Sequence, residues 1–173
     1  MQREANTAVR RSVTLITAAA LAIAGISALA ACGDDKSDKP DGKPAIAEKW
    51  EAAWKASDPQ ALATLFTTDG ARYTDHAFWR TNNGRDGVAQ WATNTKHFIQ
   101  GASIKVDDAF GNADKVAINW TFSGQLTGAP KPFSVPAVAI LQMRGNEIVS
   151  DDDYYDRADV FRQSGIPADT TFG

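Results

Sequence analysis

The sequence predicts an α+β domain, and three features predict it. Apolar residues recur at helical spacing through the first half of the domain, from Ile46 to Phe98. The second half is a series of runs in which apolar and polar residues alternate, separated by glycine-containing turns. Helices first and a strand meander afterwards is the order of an α+β fold, here a curved antiparallel sheet packed against three N-terminal helices. About 130 residues can bury roughly two-thirds of their surface, enough for one core.

Ile46, Trp50, Ala53 and Trp54 mark the buried stripe of a first helix, which stops at Ser57-Asp58-Pro59. Asp58 can cap a second helix with Pro59 at its first position, and Leu62, Leu65 and Phe66 continue the stripe. Residues 67–70 (Thr-Thr-Asp-Gly) break it, and 71–75 reads as a short strand. Asn82-Asn83-Gly84 reads as a turn before a third helix with Val88, Trp91, Ala92, Thr95 and Phe98 on one side. Four strands follow, over 103–110, 115–126, 133–144 and 147–156, separated by Gly111-Asn112, Gly128-Ala129-Pro130 and Gly145-Asn146. Val116, Ile118, Trp120 and Phe122 share one face with Val135, Ala137, Ala139, Leu141 and Met143, the face the helices should cover.

Residues 1–31 have the layout of an export signal. Arg3, Arg10 and Arg11 precede an uncharged, mostly aliphatic run, which ends at Leu29-Ala30-Ala31-Cys32. That tetrad resembles a bacterial lipobox, and Cys32 is the one cysteine of the chain, so an intrachain disulfide and multi-thiolate metal sites are excluded. Two readings stay beside it: an uncleaved signal-anchor helix, and twin-arginine export through Arg10-Arg11. Residues 32–44 contain no large apolar side chain and are expected to form a disordered tether, leaving 45–173 as the domain. A lipid on Cys32 would hold the mature protein on the extracytoplasmic face of the cell membrane. A net charge of −3 with mixed signs gives no basic footprint for nucleic acid.

The order of elements, with residues 54–66, Tyr73-Thr74-Asp75-His76, 84–88 and Asp153-Tyr154-Tyr155-Asp156 leading to 161–165, resembles the SnoaL-like branch of the nuclear-transport-factor-like superfamily. The resemblance covers about 46–167 and implies a cone-shaped sheet around a pocket for a small hydrophobic molecule. It places Asp153 on the last strand as acid or base in isomerase, cyclase or hydrolase chemistry, and Asp75 at the end of the first strand, with His76 beside it as a partner. Expected pocket walls are Trp50, Trp54, Trp91, Trp120, Phe122 and Tyr155. Residues 119–123 lack the arginine and aspartate of the family's epoxide hydrolase, and Trp50 stands where its ketosteroid isomerase has a tyrosine. Both departures turn the reading away from those mechanisms and toward binding. A second class of function is a non-catalytic binding or assembly module of the cell envelope that forms a homodimer through its sheet.

The plainer assignments are that Asp153 is one of a solvated acidic run, that Asp75 caps a turn, and that Trp50, Trp54 and Trp91 are core. Trp79, in an expected loop, is assigned to a pocket mouth or a dimer surface. No cofactor is called for. His76 and His97 share no ligand motif, and Asp151, Asp152, Asp153 and Asp156 lack calcium-loop spacing, so no metal is expected.

Overall fold

The computed structural model describes residues 42–170. The expected export signal, Cys32 and most of the tether lie outside the described residues. The elements are helix α1 (Ala45–Lys55), the single turn α2 (Gln60–Ala63), strands β1 (Arg72–Asp75) and β2 (Arg80–Asn83), helix α3 (Gly84–Phe98), strands β3 (Ile99–Gly111), β4 (Lys115–Leu126), β5 (Phe133–Arg144) and β6 (Glu147–Tyr155), and helix α4 (Arg157–Ser164). The strands form one curved, unclosed sheet in the order β2-β1-β6-β5-β4-β3.

Helix α1 follows Pro44, carries Glu48 in its first turn and Lys55 in its last, and so complements its own dipole at both ends. Lys55 also donates to Glu51 one turn back, at 2.7 Å. Its end is closed from outside, because Lys96 of α3 donates to the Ala56 carbonyl. Ile46, Ala47, Trp50, Ala53 and Trp54 are buried, as the spacing requires. The Asp58 carboxylate accepts from the Gln60 amide at 2.9 Å and starts α2, which ends after one turn.

Strands β4 and β5 are neighbouring interior strands of the sheet. Val116, Ile118, Trp120 and Phe122 face the helices together with Val135, Ala137, Ala139 and Leu141, all buried. Met143, next to the register shift between Gln142 and Met143, is only half-buried. Bulges in β3, between Gln100 and Ser103 and between Val106 and Asp108, bend that strand.

Four expectations are corrected. The β1–β6 pair is parallel, with Tyr73 beside Asp151 and Asp75 beside Asp153, whereas the other strand pairs among the described residues are antiparallel. Residues 80–83, expected as loop and turn, are edge strand β2; Arg-Thr-Asn-Asn has no apolar side to reveal it, and pairing with β1 alone makes it a strand. Helix α4 was not anticipated, although Asp156 caps it by accepting from the Ala158 and Asp159 amides and Gly165 ends it at φ 74°. Phe98, assigned to the buried side of α3, is 59% exposed because the helix ends there and β3 starts at Ile99.

Candidate functional site

The parallel β1–β6 pair builds the site. Side chains of a strand alternate between faces, so Tyr73 and Asp75 on β1 turn inward with Asp151, Asp153 and Tyr155 on β6. Registered side by side, they put three carboxyls and two phenols in one patch beneath α1 and α3. Asp75, Asp151 and Asp153 are each at most 3% exposed.

Each acid has a donor from a neighbouring aromatic side chain. The Trp50 indole N–H donates to Asp151 Oδ2 at 2.7 Å. The Tyr73 hydroxyl donates to Asp153 Oδ2, and the Tyr155 hydroxyl to Asp75 Oδ2 at 2.6 Å. Asp75 accepts in addition from the Phe78 amide at 2.8 Å, so it holds the β1–β2 turn as well as facing the patch. Among the described residues, Oδ1 of Asp151 and Oδ1 of Asp153 receive no N–H or hydroxyl donor. The two carboxyls contact each other instead. Two adjacent carboxyls taken out of water do not both ionise, so the pair holds a proton between them.

The direction of every shift agrees. Burial pushes Asp151 up to about 7, against the Trp50 N–H and the Asp153 contact, which pull it down. Burial, and then the charge of Asp151, hold Asp153 well above the usual carboxylate range. Asp75 is raised by burial, with the Tyr155 hydroxyl and the turn amides opposing. Tyr73 and Tyr155 are raised well above an ordinary phenol by burial and by the neighbouring acids, so both remain donors.

Around the acids runs a wall of rings. Trp50 meets Trp54 edge-on at 6.2 Å and Trp120 at 5.4 Å; Tyr73 lies 6.0 Å from both Trp54 and Trp91; Tyr155 lies 6.4 Å from Trp120 and 5.4 Å from Phe122. The indole N–H groups of Trp54 and Trp120 are buried without an acceptor among the described residues. All six expected wall residues are therefore in one cluster. The open apolar hollow expected at Asp153 is corrected, because rings in mutual contact take up that space. A surface hollow of about 160 Å³ lies elsewhere, between the start of α1 and the turns of the β3–β4 and β5–β6 hairpins, lined by Ile46, Lys49, Asn112 and Met143 among others. Trp91 and Tyr155 are only half-buried, and they are where the cluster meets solvent.

His76 does not join Asp75 and Asp153. One residue beyond Asp75, it points to the opposite face, where its Nε2 lies 3.0 Å from Asp152 Oδ1 and its ring stacks on Tyr154 at 4.3 Å. Arg72 pairs with the same Asp152 at 3.0 Å. Trp79 is 73% exposed in the β1–β2 turn at φ 51°, with the Arg157 guanidinium 4.6 Å above its ring. Two members of the site, Tyr73 and Asp151, were missed by sequence reasoning. Period-two alternation, applied backward from Asp75 and Asp153, would have found both.

Residues 45–164 match the family model described as SnoaL-like polyketide cyclase. The chain belongs to this family. Solved structures share the fold. The chain is 40% identical to a hypothetical protein with a ketosteroid isomerase-like fold from Catenulispora acidiphila, solved in complex with trimethylamine; the match covers 76% of this chain and 100% of that one, with a TM-score of 0.72. A nuclear-transport-factor-2-like protein from Burkholderia thailandensis is similar in fold, at 19% identity, 70% and 95% coverage and a TM-score of 0.63. So is TsrD from Streptomyces laurentii, at 21% identity, 73% and 100% coverage and a TM-score of 0.60. No curated protein matches the chain.

Proposed function

We propose that this SnoaL-like domain binds a small molecule built around a basic nitrogen, with the charge set against Asp151 and Asp153 and the alkyl groups against the surrounding rings. The observation that carries the reading is the combination of three buried carboxyls, with no cationic side chain among the described residues bonded to them, and a wall of four indoles and two phenols. Aromatic faces and carboxylates both attract a cation, and a methylated ammonium group offers apolar surface to the first and charge to the second. Such a ligand is a small, largely hydrophobic molecule, the partner expected for the fold. The relative from Catenulispora acidiphila, solved with trimethylamine, supports the same reading. Both entry and room for the ligand require Trp91 or Tyr155 to swing outward, since the rings fill the cluster and these two are the half-buried members of the wall.

Calorimetric titration of the domain with trimethylamine hydrochloride, against tert-butanol as a neutral molecule of similar shape, tests this. Heat of binding is expected with the amine alone, and at least about tenfold weaker binding in Asp153→Asn, the loss of one charged partner. Equal affinity for both molecules, or no binding of either, contradicts the reading.

The shared proton of Asp151 and Asp153 also suits acid and base work on a carbonyl compound, with Asp153 in the central role and Asp75 beside it. His76 has no part in that version. As for its setting, we place the domain outside the cell membrane on a lipid carried by Cys32, with 33–44 as tether. We place a homodimer contact on the outer sheet face. There Pro136, Val138 and Ile140 of β5 lie beside Ala117 and Tyr154, with Phe110 at 56% exposure next to Ala117.

A further inference from the structure

The two inward aspartates of β6 raise a question of charge that binding alone leaves open. Asp151 and Asp153 stand two residues apart on one face of the strand, both fully enclosed, and each keeps Oδ1 free of any N–H or hydroxyl donor. What faces them is uncharged on almost every side. Helix α1 presents Trp50 and Trp54, α3 presents Trp91, β4 presents Trp120 and Phe122, and β5 presents Ala137, Ala139 and Leu141. The titratable groups within reach are Tyr73 and Asp75 from β1 and Tyr155 from β6 itself, each a phenol or an acid. Asp152, on the outer face, adds negative charge and is already paired with Arg72 and His76. A proton is thus the cation that holds the free pair together, and it lies between the two Oδ1 atoms, the same oxygens an ammonium ion would have to reach, so an ion seated on both must displace it.

Resting on the amine-binding reading, we infer that a methylated ammonium ion takes the place of the proton held between Asp151 and Asp153, so that the domain exchanges one proton for one cation. The ion is bound intact, no bond to nitrogen forms or breaks, and the proton passes to water. The ligand class follows from the same geometry. The pair offers two oxygens without donors, too few acceptors for the three N–H bonds of a primary ammonium, whereas the rings accept methyl groups. The site is therefore built for tertiary and quaternary ammonium ions rather than primary ones.

Calorimetry with trimethylamine hydrochloride, which stays protonated throughout, between about pH 5 and pH 8 and in two buffers of different ionisation enthalpy, tests the exchange. About one proton released per ion bound is expected, with affinity rising up to about tenfold per pH unit until the pair has ionised. Methylamine hydrochloride should bind at least about tenfold more weakly. His76→Asn separates the other candidate source of protons, since this imidazole lies on the opposite face; release should be unchanged in it. Binding that is the same at every pH with no proton released, or release that vanishes in His76→Asn, overturns the exchange and leaves amine binding standing. No binding of trimethylammonium at any pH removes the amine-binding reading itself.

Discussion

Asp151 and Asp153 are costly residues to enclose, and the cost has a pH signature. In the unfolded chain both carboxyls titrate near pH 4, whereas in the fold burial raises Asp151 to about 7 and holds Asp153 well above the usual carboxylate range. Folding therefore binds protons. The stability that these groups contribute is fully present below about pH 4 and is lost as the pH rises through about 7. Thermal unfolding followed from about pH 4 to pH 8 should show a midpoint that falls with pH, and the fall should be shallower in Asp151→Asn; a flat wild-type profile would contradict the enclosed pair. Trp50→Phe removes the donor to Asp151 and should cost about 1–3 kcal/mol while moving the apparent pKa of the pair upward, read from the same profile. The residues named from sequence divide along a physical line. Asp153, Asp75 and Tyr155 were legible through the family resemblance, and the four tryptophans and Phe122 through the apolar stripes. Asp151 was hidden inside a run of three aspartates, whose composition says surface, and only the two-residue period of a strand separates its buried members from Asp152. His76 was misplaced for the same reason, one residue from Asp75 being the opposite face.

At the scale of elements, local signals succeeded where pairing is local. The alternation in β4 and β5 fixed both strands at their observed bounds, because each buries one face against helices and pairs with its chain neighbour. Strand β2 and the parallel β1–β6 contact were illegible, since one is polar throughout and the other joins segments about seventy residues apart, a choice that no local pattern records. Helix α4 was in fact signalled, by Asp156 at its start and Gly165 at its end. Asp156→Ala should lower stability by about 1 kcal/mol in chemical denaturation and leave ligand binding unchanged. A larger effect is expected at the β3–β4 turn. Gly111 has φ 155°, and a Cβ there would lie 2.2 Å from the Lys115 carbonyl oxygen and 2.7 Å from the Val116 Cα. Both are backbone atoms with nowhere to yield, so Gly111→Ala should cost more than about 1 kcal/mol; an unchanged denaturation midpoint would mean that the hairpin is built differently.

At the scale of the whole molecule, a family fold follows a segment expected to be an export signal. A SnoaL-like sheet encloses an acid and ring cluster on its inner side and presents an apolar strip on its outer side. If the strip pairs two copies, light scattering should give twice the domain mass, and Ile140→Glu should return it to the monomer. If Cys32 carries lipid, mass spectrometry of the mature protein should find cleavage before it and a diacylglyceryl addition, with Cys32→Ser leaving the membrane fraction. The central claim, that enclosed carboxyls of the last strand receive a cation, is tested most directly by carbon-detected NMR of the aspartate side chains at neutral pH. Before ligand is added, at least one of Asp151 and Asp153 should give the carboxyl shift of a protonated acid, and trimethylammonium should move it to that of an ionised one. Two ordinary exposed carboxylates in the free protein, or a protonated signal that the amine leaves untouched, would contradict the account.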